Sequence, residues 1–176
     1  KMAADKGFDI LADLPKEFPE NEFQLGGGNE KEFLYLLPSY YEGLIFLGKL
    51  NITDCFNKYR KAKITIIPSN KESYGIVVAE ALCCGSPIVA TNVGGIPEVI
   101  ELAKKNLTQY EKFIFDDWVK LVEPTGKSLM VGIDEILRNS VPMDKYLDLI
   151  PKIQNEFSWE YRLKNYHKSL INLVSQ

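Results

Sequence analysis

The most informative pattern of hydrophobic and polar positions lies between residues 63 and 101, which read KITIIPSNKESYGIVVAEALCCGSPIVATNVGGIPEVIE. Residues 64–67 and 88–91 are short β-branched runs closed by polar residues, so both are predicted as buried strands. Residues 75–82 are apolar on nearly every side, which predicts a packed helix, and the Gly-Gly pair at 94–95 opens a second one. This order is the repeating unit of an open α/β sheet, whose ligands bind at the carboxyl ends of the strands.

The pattern outside this stretch predicts further elements of the same class. Strands are expected at 22–25 and 44–47, and helices at 8–14, at 31–37 and from an N-cap at Thr53 to Lys61. Later in the chain we expect a helix extension with a surface insertion over 101–118, a loop from Gly126 into a helix ending near Asn139, and final helices at 143–154 and 159–174 interrupted around Pro151. The prediction is one α/β domain over residues 1–176 with a doubly wound parallel sheet and a C-terminal helix at 158–174.

Composition and charge narrow the class of protein. The 176 residues are 45% hydrophobic and 26% charged with a formal charge of −3, and the isoelectric point is near 5.3, so one ordinary globular domain is expected. No basic field suited to nucleic acid is present, and no apolar run approaches the length of a membrane span. The three cysteines lack the spacing of a disulfide framework or a metal site, which favours a reducing, cytoplasmic location.

Glu80 is the one carboxylate in the apolar helix predicted at 75–82. Burying it is costly unless hydrogen-bond donors meet it. A ligand with vicinal hydroxyls, such as a ribose, supplies two charge-assisted donors, each contributing about 1.5–3 kcal/mol. Alternatively, Glu80 turns to solvent on a narrow polar strip, and periodicity alone favours neither interpretation.

The spacing of Glu72 and Glu80, with seven residues between them, belongs to a longer pattern. Ala81-Leu82, the run 85–91 and the run 94–98 follow the second carboxylate. Together they resemble the signature of retaining glycosyltransferases of the GT-B fold, similar to glycosyltransferase family 4. These enzymes combine two Rossmann-like domains, and the signature lies in the second. Weaker similarities occur at 5–9, 46–48 and 157–160, so the resemblance covers most of the chain.

One departure from the family pattern falls in the loop that carries Glu72. Family members usually have Glu-Gly-Phe-Gly where this chain has Glu72-Ser73-Tyr74-Gly75. Serine in place of the first glycine leaves the tightness of this loop open.

The resemblance implies a role for each matching residue. Glu72 faces the donor sugar as the catalytic residue, and Glu80 holds the ribose hydroxyls. The donor diphosphate is balanced by Lys6 and, more weakly, by Lys1, which stands where the family has an arginine with a bidentate fork. Without the resemblance, both lysines would be interpreted as solvated surface residues. The remaining donor-binding positions are the bend at Gly48 and Lys49, beside the base, and the amides around Tyr74, Gly75 and Ile76 at a helix N-terminus.

The implied reaction is transfer of a hexose from a nucleoside diphosphate, UDP or GDP above all, to an acceptor hydroxyl. In the family the acceptor site, for a sugar, a lipid-linked or another hydroxyl compound, lies on an N-terminal domain that this chain lacks, and peripheral membrane association would come through that domain. No D-x-D motif occurs, so no metal and no further cofactor is expected. The alternatives are a non-catalytic nucleotide-sugar-binding domain and an epimerase or phosphorylase relative.

Two expectations concern completeness. In the family a central strand precedes the segment matched by residues 1–7, so we expect a longer polypeptide upstream and no sugar transfer by the 176 residues alone. The apolar stripe of the last helix, which includes Leu163, Tyr166 and Leu170, fits either the core or contact with the absent domain.

Overall fold

The computed structural model describes residues 5–11, 13–28 and 43–158, without the side chains of residues 8 and 9. Its strands are β1 (Phe23–Gly26), β2 (Leu44–Gly48), β3 (Thr65–Ile67), β4 (Ile88–Thr91) and β5 (Val119–Val122). β1 pairs with β2, and β3, β4 and β5 form a second sheet in that order. Every pair among these strands is parallel. The predicted α/β class with parallel strands is confirmed.

The helices lie between and after the strands. A 3-10 turn covers Phe8–Leu11. The α-helices are α1 (Leu14–Glu17), α2 (Ile52–Lys61), α3 (Ile76–Cys83), α4 (Ile96–Lys104), α5 (Gln109–Trp118), α6 (Gly126–Leu137), α7 (Met143–Leu147) and α8 (Ile150–Phe157). No helix in the described part of the chain is long and apolar enough to cross a membrane.

β4 is the central strand of the three-stranded sheet, and all four of its residues are buried. Its side chains therefore meet protein on both faces, which is why the sequence Ile-Val-Ala-Thr shows no polar alternation. β3 runs beside it in parallel, with Ile67 opposite Ala90. The loops that follow β3 and β4, residues 68–75 and 92–95, consequently leave the sheet at the same edge.

The surface insertion expected over residues 101–118 is wrong. After α4 the chain forms α5, which opens with a capping box between Thr108 and Glu111. Phe115 is fully buried in the core, and its ring centroid lies 6.5 Å from that of Tyr146, while Trp118 lies 6.1 Å from the same ring. The charged residues of this segment suggested a surface position, but its apolar residues share one helical face that packs into the core. β5 follows immediately and was not predicted.

Several predicted boundaries are also wrong. The helix predicted at 8–14 is a 3-10 turn that ends at Leu11, and Pro15 lies in the first turn of α1, where a missing amide hydrogen costs nothing. The predicted interruption around Pro151, in contrast, is confirmed, because α7 ends at Leu147 and α8 begins at Ile150. Asn51, not Thr53, caps α2 by accepting from the amide of Asp54. Gly126 is the first residue of α6 and not part of a loop.

Other predictions lie outside the described residues. They are Lys1, the helix at 31–37, and the C-terminal helix at 158–174 apart from Ser158, which caps α8.

The buried ring of Phe115 gives a direct test of the corrected segment. Phe115→Ala should lower the free energy of unfolding by about 3–5 kcal/mol, because it opens a cavity beside Tyr146. Phe113→Ala on the same helix removes a ring that is 60% exposed, and should change stability by about 0.5 kcal/mol or less. Urea denaturation followed by circular dichroism measures both, and equal losses would contradict the packing of α5 described here.

Candidate functional site

The loop 68–75, which leaves the carboxyl end of β3, is held from two sides by backbone hydrogen bonds. On one side the amides of Asn70 and Lys71 donate to the carbonyl of Asp5, at 2.9 and 3.0 Å. On the other side the amide of Gly95 donates to the carbonyl of Glu72 at 3.1 Å. The turns at 5–7 and 92–95 therefore fix the loop that carries Glu72.

Glycines allow the close approach on each side. Gly94 has φ +53°, and a Cβ placed there would lie 1.6 Å from the carbonyl oxygen of Glu72. Gly7 has φ +65°, and its Cβ would lie 1.8 Å from the carbonyl oxygen of Pro68. Both positions combine a left-handed backbone with a contact that no side chain can enter. This is the physical reason for a glycine in the Lys-Gly turn and in the Gly-Gly turn.

A buried hydroxyl reinforces the end of β4. Thr91 is fully buried, and its Oγ1 donates to the carbonyl of Ser69 at 2.6 Å. It thus ties the end of β4 to the first residues of the loop 68–75. Sequence reasoning placed Thr91 in a strand and missed this role, although a hydroxyl at the end of a wholly buried strand must find a partner.

The Glu72 side chain is 14% exposed and forms an ion pair with the Nζ of Lys6. Its Oε1 also accepts from the amide of Ser73 at 3.1 Å, and the amide of Tyr74 lies 3.4 Å away. Burial raises the pKa of Glu72, but the hydrogen bond and charge of Lys6 and the amides of Gly75 and Tyr74 outweigh it, so the pKa lies below its ordinary value. Glu72 is therefore a carboxylate at neutral pH. Lys6 and Glu72, which the family resemblance assigns to different parts of the donor, are in direct contact.

The serine that departs from the family pattern fits this loop. Among the described residues only glycines have positive φ angles, so Ser73 occupies an ordinary backbone conformation. The left-handed residue in the loop is Gly75, with φ +66°, which is the N-cap of α3. A glycine is therefore required at 75 but not at 73.

The N-terminus of α3 adjoins Glu72 and is open to solvent. The side chains of Tyr74 and Ile76 are 76% and 62% exposed. The first amides of an α-helix have no intrahelical acceptor, and the helix dipole places positive charge there. The amides that begin with Ile76 can thus bind an anion or a sugar oxygen.

Glu80 lies one turn further along α3, half-buried on the side that meets α2. The phenol of Tyr59 donates to its Oε2 at 3.4 Å. Glu80 stands four positions after Ile76, about 6 Å along the helix axis. Glu72 and Glu80 are therefore carried by the loop before α3 and by its second turn.

Gly48 and Lys49 lie at the carboxyl end of β2. Gly48 has φ +68° and bends the chain, and its carbonyl accepts from the amide of Gly27 at 2.8 Å. The side chain of Lys49 is exposed. The glycine run at 26–28 thus lies against the Gly48 bend, at the edge where ligands bind in such sheets. In the part of the chain that the structure describes, no three His, Cys, Asp or Glu side chains are grouped as a metal ion would require.

Comparison with known proteins gives a consistent family. The model of the family described as "Glycosyl transferases group 1" matches residues 4–146. A D-inositol 3-phosphate glycosyltransferase from Corynebacterium jeikeium is 33% identical over 145 residues, which is 81% of this chain and 32% of that protein. An uncharacterized glycosyltransferase from Methanocaldococcus jannaschii is 25% identical over an alignment of 182 positions, which covers 98% of this chain and 42% of that protein. The chain therefore spans less than half the length of these curated relatives.

Solved structures show the same fold. A sucrose-phosphate synthase from Thermosynechococcus elongatus superposes with a TM-score of 0.71 at 21% identity, over 97% of this chain and 43% of its own. The catalytic domain of starch synthase IV from Arabidopsis thaliana, bound to ADP and acarbose, superposes with a TM-score of 0.67 at 18% identity, over 99% of this chain and 37% of its own. Both are similar in fold alone.

The contact between Gly94 and Glu72 predicts a large effect of a single methyl group. Gly94→Ala should lower the free energy of unfolding by about 2–5 kcal/mol, through left-handed strain plus the collision with the Glu72 carbonyl. Gly48→Ala is the control, because Gly48 has a similar φ but a Cβ there meets no described atom within 4 Å. Its cost should be about 1–2 kcal/mol. Chemical denaturation measures both, and a Gly94→Ala variant no less stable than Gly48→Ala would refute the contact.

Proposed function

The chain belongs to the glycosyl transferases group 1 family, and from this premise we propose that it is the nucleotide-sugar-binding domain of a retaining glycosyltransferase. A hexose passes from a nucleoside diphosphate to the hydroxyl of an acceptor, which binds to a separate N-terminal domain. The observation that carries the proposal is the Lys6–Glu72 pair, held by glycine contacts beside the free amides of α3. The ammonium group of Lys6, the carboxylate of Glu72 and the first amides of α3 therefore lie next to one another.

Lys6 is the cation for the donor diphosphate. Its ammonium group has three donors, of which one meets Glu72, and the side chain is still 38% exposed. The other two donors are available to phosphate oxygens. The amides at the start of α3 supply a second, uncharged anion site on the same side of the loop. Lys1 would add a further charge, as the family pattern implies.

Glu72 contacts the donor sugar. Its lowered pKa keeps it ionised at neutral pH, which suits an acceptor of sugar hydroxyl hydrogen bonds and not a general acid. A fixed carboxylate also stabilises the positive charge that develops on a sugar ring as the bond to the leaving phosphate breaks. The amides of Ser73 and Tyr74 hold this carboxylate in place, so it needs little reorganisation during the reaction.

Departure of the nucleoside diphosphate requires stabilisation of growing negative charge. Lys6 and the α3 amides are positioned before the reaction begins, and such preorganised groups stabilise a transition state more effectively than water. In the proposed mechanism these groups of the chain activate the donor.

Glu80, Gly48 and Lys49 bind the nucleoside. The Glu80 carboxylate accepts from the ribose hydroxyls, and the backbone at Gly48 and Lys49 lies beside the base. UDP and GDP are the expected carriers, and ADP joins them because a solved structure of the same fold, starch synthase IV, is described with ADP bound. The acceptor is a sugar, a lipid-linked or another hydroxyl compound. We place the protein in the cytoplasm, with any peripheral contact to a membrane made through the N-terminal domain.

Isothermal calorimetry with UDP, GDP and ADP and with their sugar derivatives tests the proposal. Glu72→Ala should leave the affinity for the free nucleotide unchanged and weaken binding of the sugar nucleotide. Glu80→Ala should weaken both by about 1–3 kcal/mol, ten- to a hundredfold, because ribose hydroxyls lose their acceptor.

Asp148→Ala, which removes an exposed carboxylate between α7 and α8, is the matched control and should bind as the unmodified chain does. If Glu72→Ala lowered the affinity for the nucleotide and for the sugar nucleotide equally, Glu72 would not contact the sugar. Failure of the unmodified chain to bind any of the six ligands would refute the proposed function.

A further inference from the structure

We propose that Tyr59 is a positioning residue that orients the Glu80 carboxylate for a ribose diol. This inference rests on the proposed function, because it assumes that Glu80 binds the ribose hydroxyls. Tyr59 lies in the last turns of α2, a segment whose sequence pattern indicated only a helix leading to β3. In the described part of the chain, the hydrogen bond of the phenol goes to Glu80 and not to Glu72, so its effect should be specific to the nucleoside.

The geometry places the phenol against the carboxylate from outside α3. α2 packs beside α3, and the Tyr59 ring is half-buried against the hydrophobic core. Its hydroxyl lies 3.4 Å from the Oε2 of Glu80. This separation is long for an O–H···O bond, and such contacts at ligand sites commonly shorten when the ligand binds. The ring is thus fixed by packing while its hydroxyl points at a polar target.

The phenol acts as a permanent donor. Burial raises the pKa of Tyr59 above its ordinary value, and Cys55 and Glu80 raise it further. Tyr59 therefore stays protonated throughout the physiological range. A donor of this kind is complementary to an ionised carboxylate.

The arrangement leaves acceptor capacity for a ligand. A carboxylate offers about four lone-pair sites on two oxygens. In the described part of the chain, Tyr59 provides the one side-chain hydrogen bond to Glu80, and it is made to Oε2. Oε1 and the remaining sites of Oε2 can accept from two adjacent hydroxyls. Glutamate has three rotatable bonds, so a fixed donor on one oxygen reduces the number of orientations that the ligand must select.

A purely structural role would give Tyr59 a different signature. If the hydroxyl served only the packing of α2 on α3, its removal would lower stability and would affect all nucleotide ligands alike. If it positions Glu80, removal should matter only for ligands whose ribose hydroxyls use Glu80. Comparing a ribonucleotide with its 2′,3′-dideoxy counterpart separates the two roles.

The test uses Tyr59→Phe in the 176-residue chain, with UDP, GDP or ADP, whichever binds best, and the matching 2′,3′-dideoxynucleoside diphosphate. Dissociation constants come from fluorescence-anisotropy competition, and unfolding midpoints are recorded for each variant. Tyr59→Phe should raise the dissociation constant of the ribonucleotide about two- to tenfold, which is the range for loss of one hydrogen bond. The dissociation constant of the dideoxy ligand should not change. Tyr110→Phe, which removes a hydroxyl from a ring 68% exposed on α5, should alter neither constant.

Each outcome decides the proposal. Equal weakening of both ligands, or no weakening of the ribonucleotide, overturns the positioning role of Tyr59 and leaves the proposed function intact. If the unmodified chain binds the ribonucleotide and the dideoxy ligand equally well, the ribose contact of Glu80 is refuted, and the role of Tyr59 falls with it.

Discussion

The site depends on one constraint, which is the close backbone contact of two glycine turns, at 5–7 and 92–95, with the loop 68–75 at the carboxyl edge of the sheet. The carbonyl of Glu72 lies where a Cβ of residue 94 would stand, and the carbonyl of Pro68 lies where a Cβ of residue 7 would stand. Only glycine permits both contacts. Three segments far apart in sequence are thereby brought to backbone distance, and the side chains of Lys6 and Glu72 meet as a result.

These backbone contacts also determine which charged groups and amides surround Glu72. The ion pair and the amides of residues 73–75 keep Glu72 ionised, while the start of α3 remains open beside exposed Tyr74 and Ile76. A nucleoside diphosphate sugar needs cationic and amide donors for its phosphates and acceptors for its hydroxyls, and these groups lie together here. In the proposed complex one helix would contact both ends of such a ligand, because its N-terminus adjoins Glu72 and its next turn carries Glu80.

Sequence patterns predicted the central part of the fold and failed where local signals conflicted. β4 was found at its true boundaries because Pro87 and Asn92 delimit its mostly apolar run. β5 was missed because it is only half-buried and follows α5 without a turn residue. The contact of Lys6 with Glu72 joins residues 66 positions apart, so periodicity could not reveal it, and the family resemblance predicted only that both lie near the donor. The contact of the Tyr59 hydroxyl with Glu80 was missed because a tyrosine in a largely polar helix gives no sign of its partner on another helix.

Whether a sugar nucleotide binds at the Glu72 loop is tested most directly by an amide chemical-shift titration of the isotopically labelled chain with UDP-, GDP- and ADP-sugars. The largest shifts should occur at residues 73–77, at the 5–7 turn and around Glu80, because those amides surround the Glu72 loop and the start of α3. The sugar-free nucleotides should reproduce the shifts around Glu80 but not all of those near Glu72. Shifts confined to the start of α6, near Gly126 and Lys127, or an absence of shifts in the Glu72 loop would contradict a donor site at this loop.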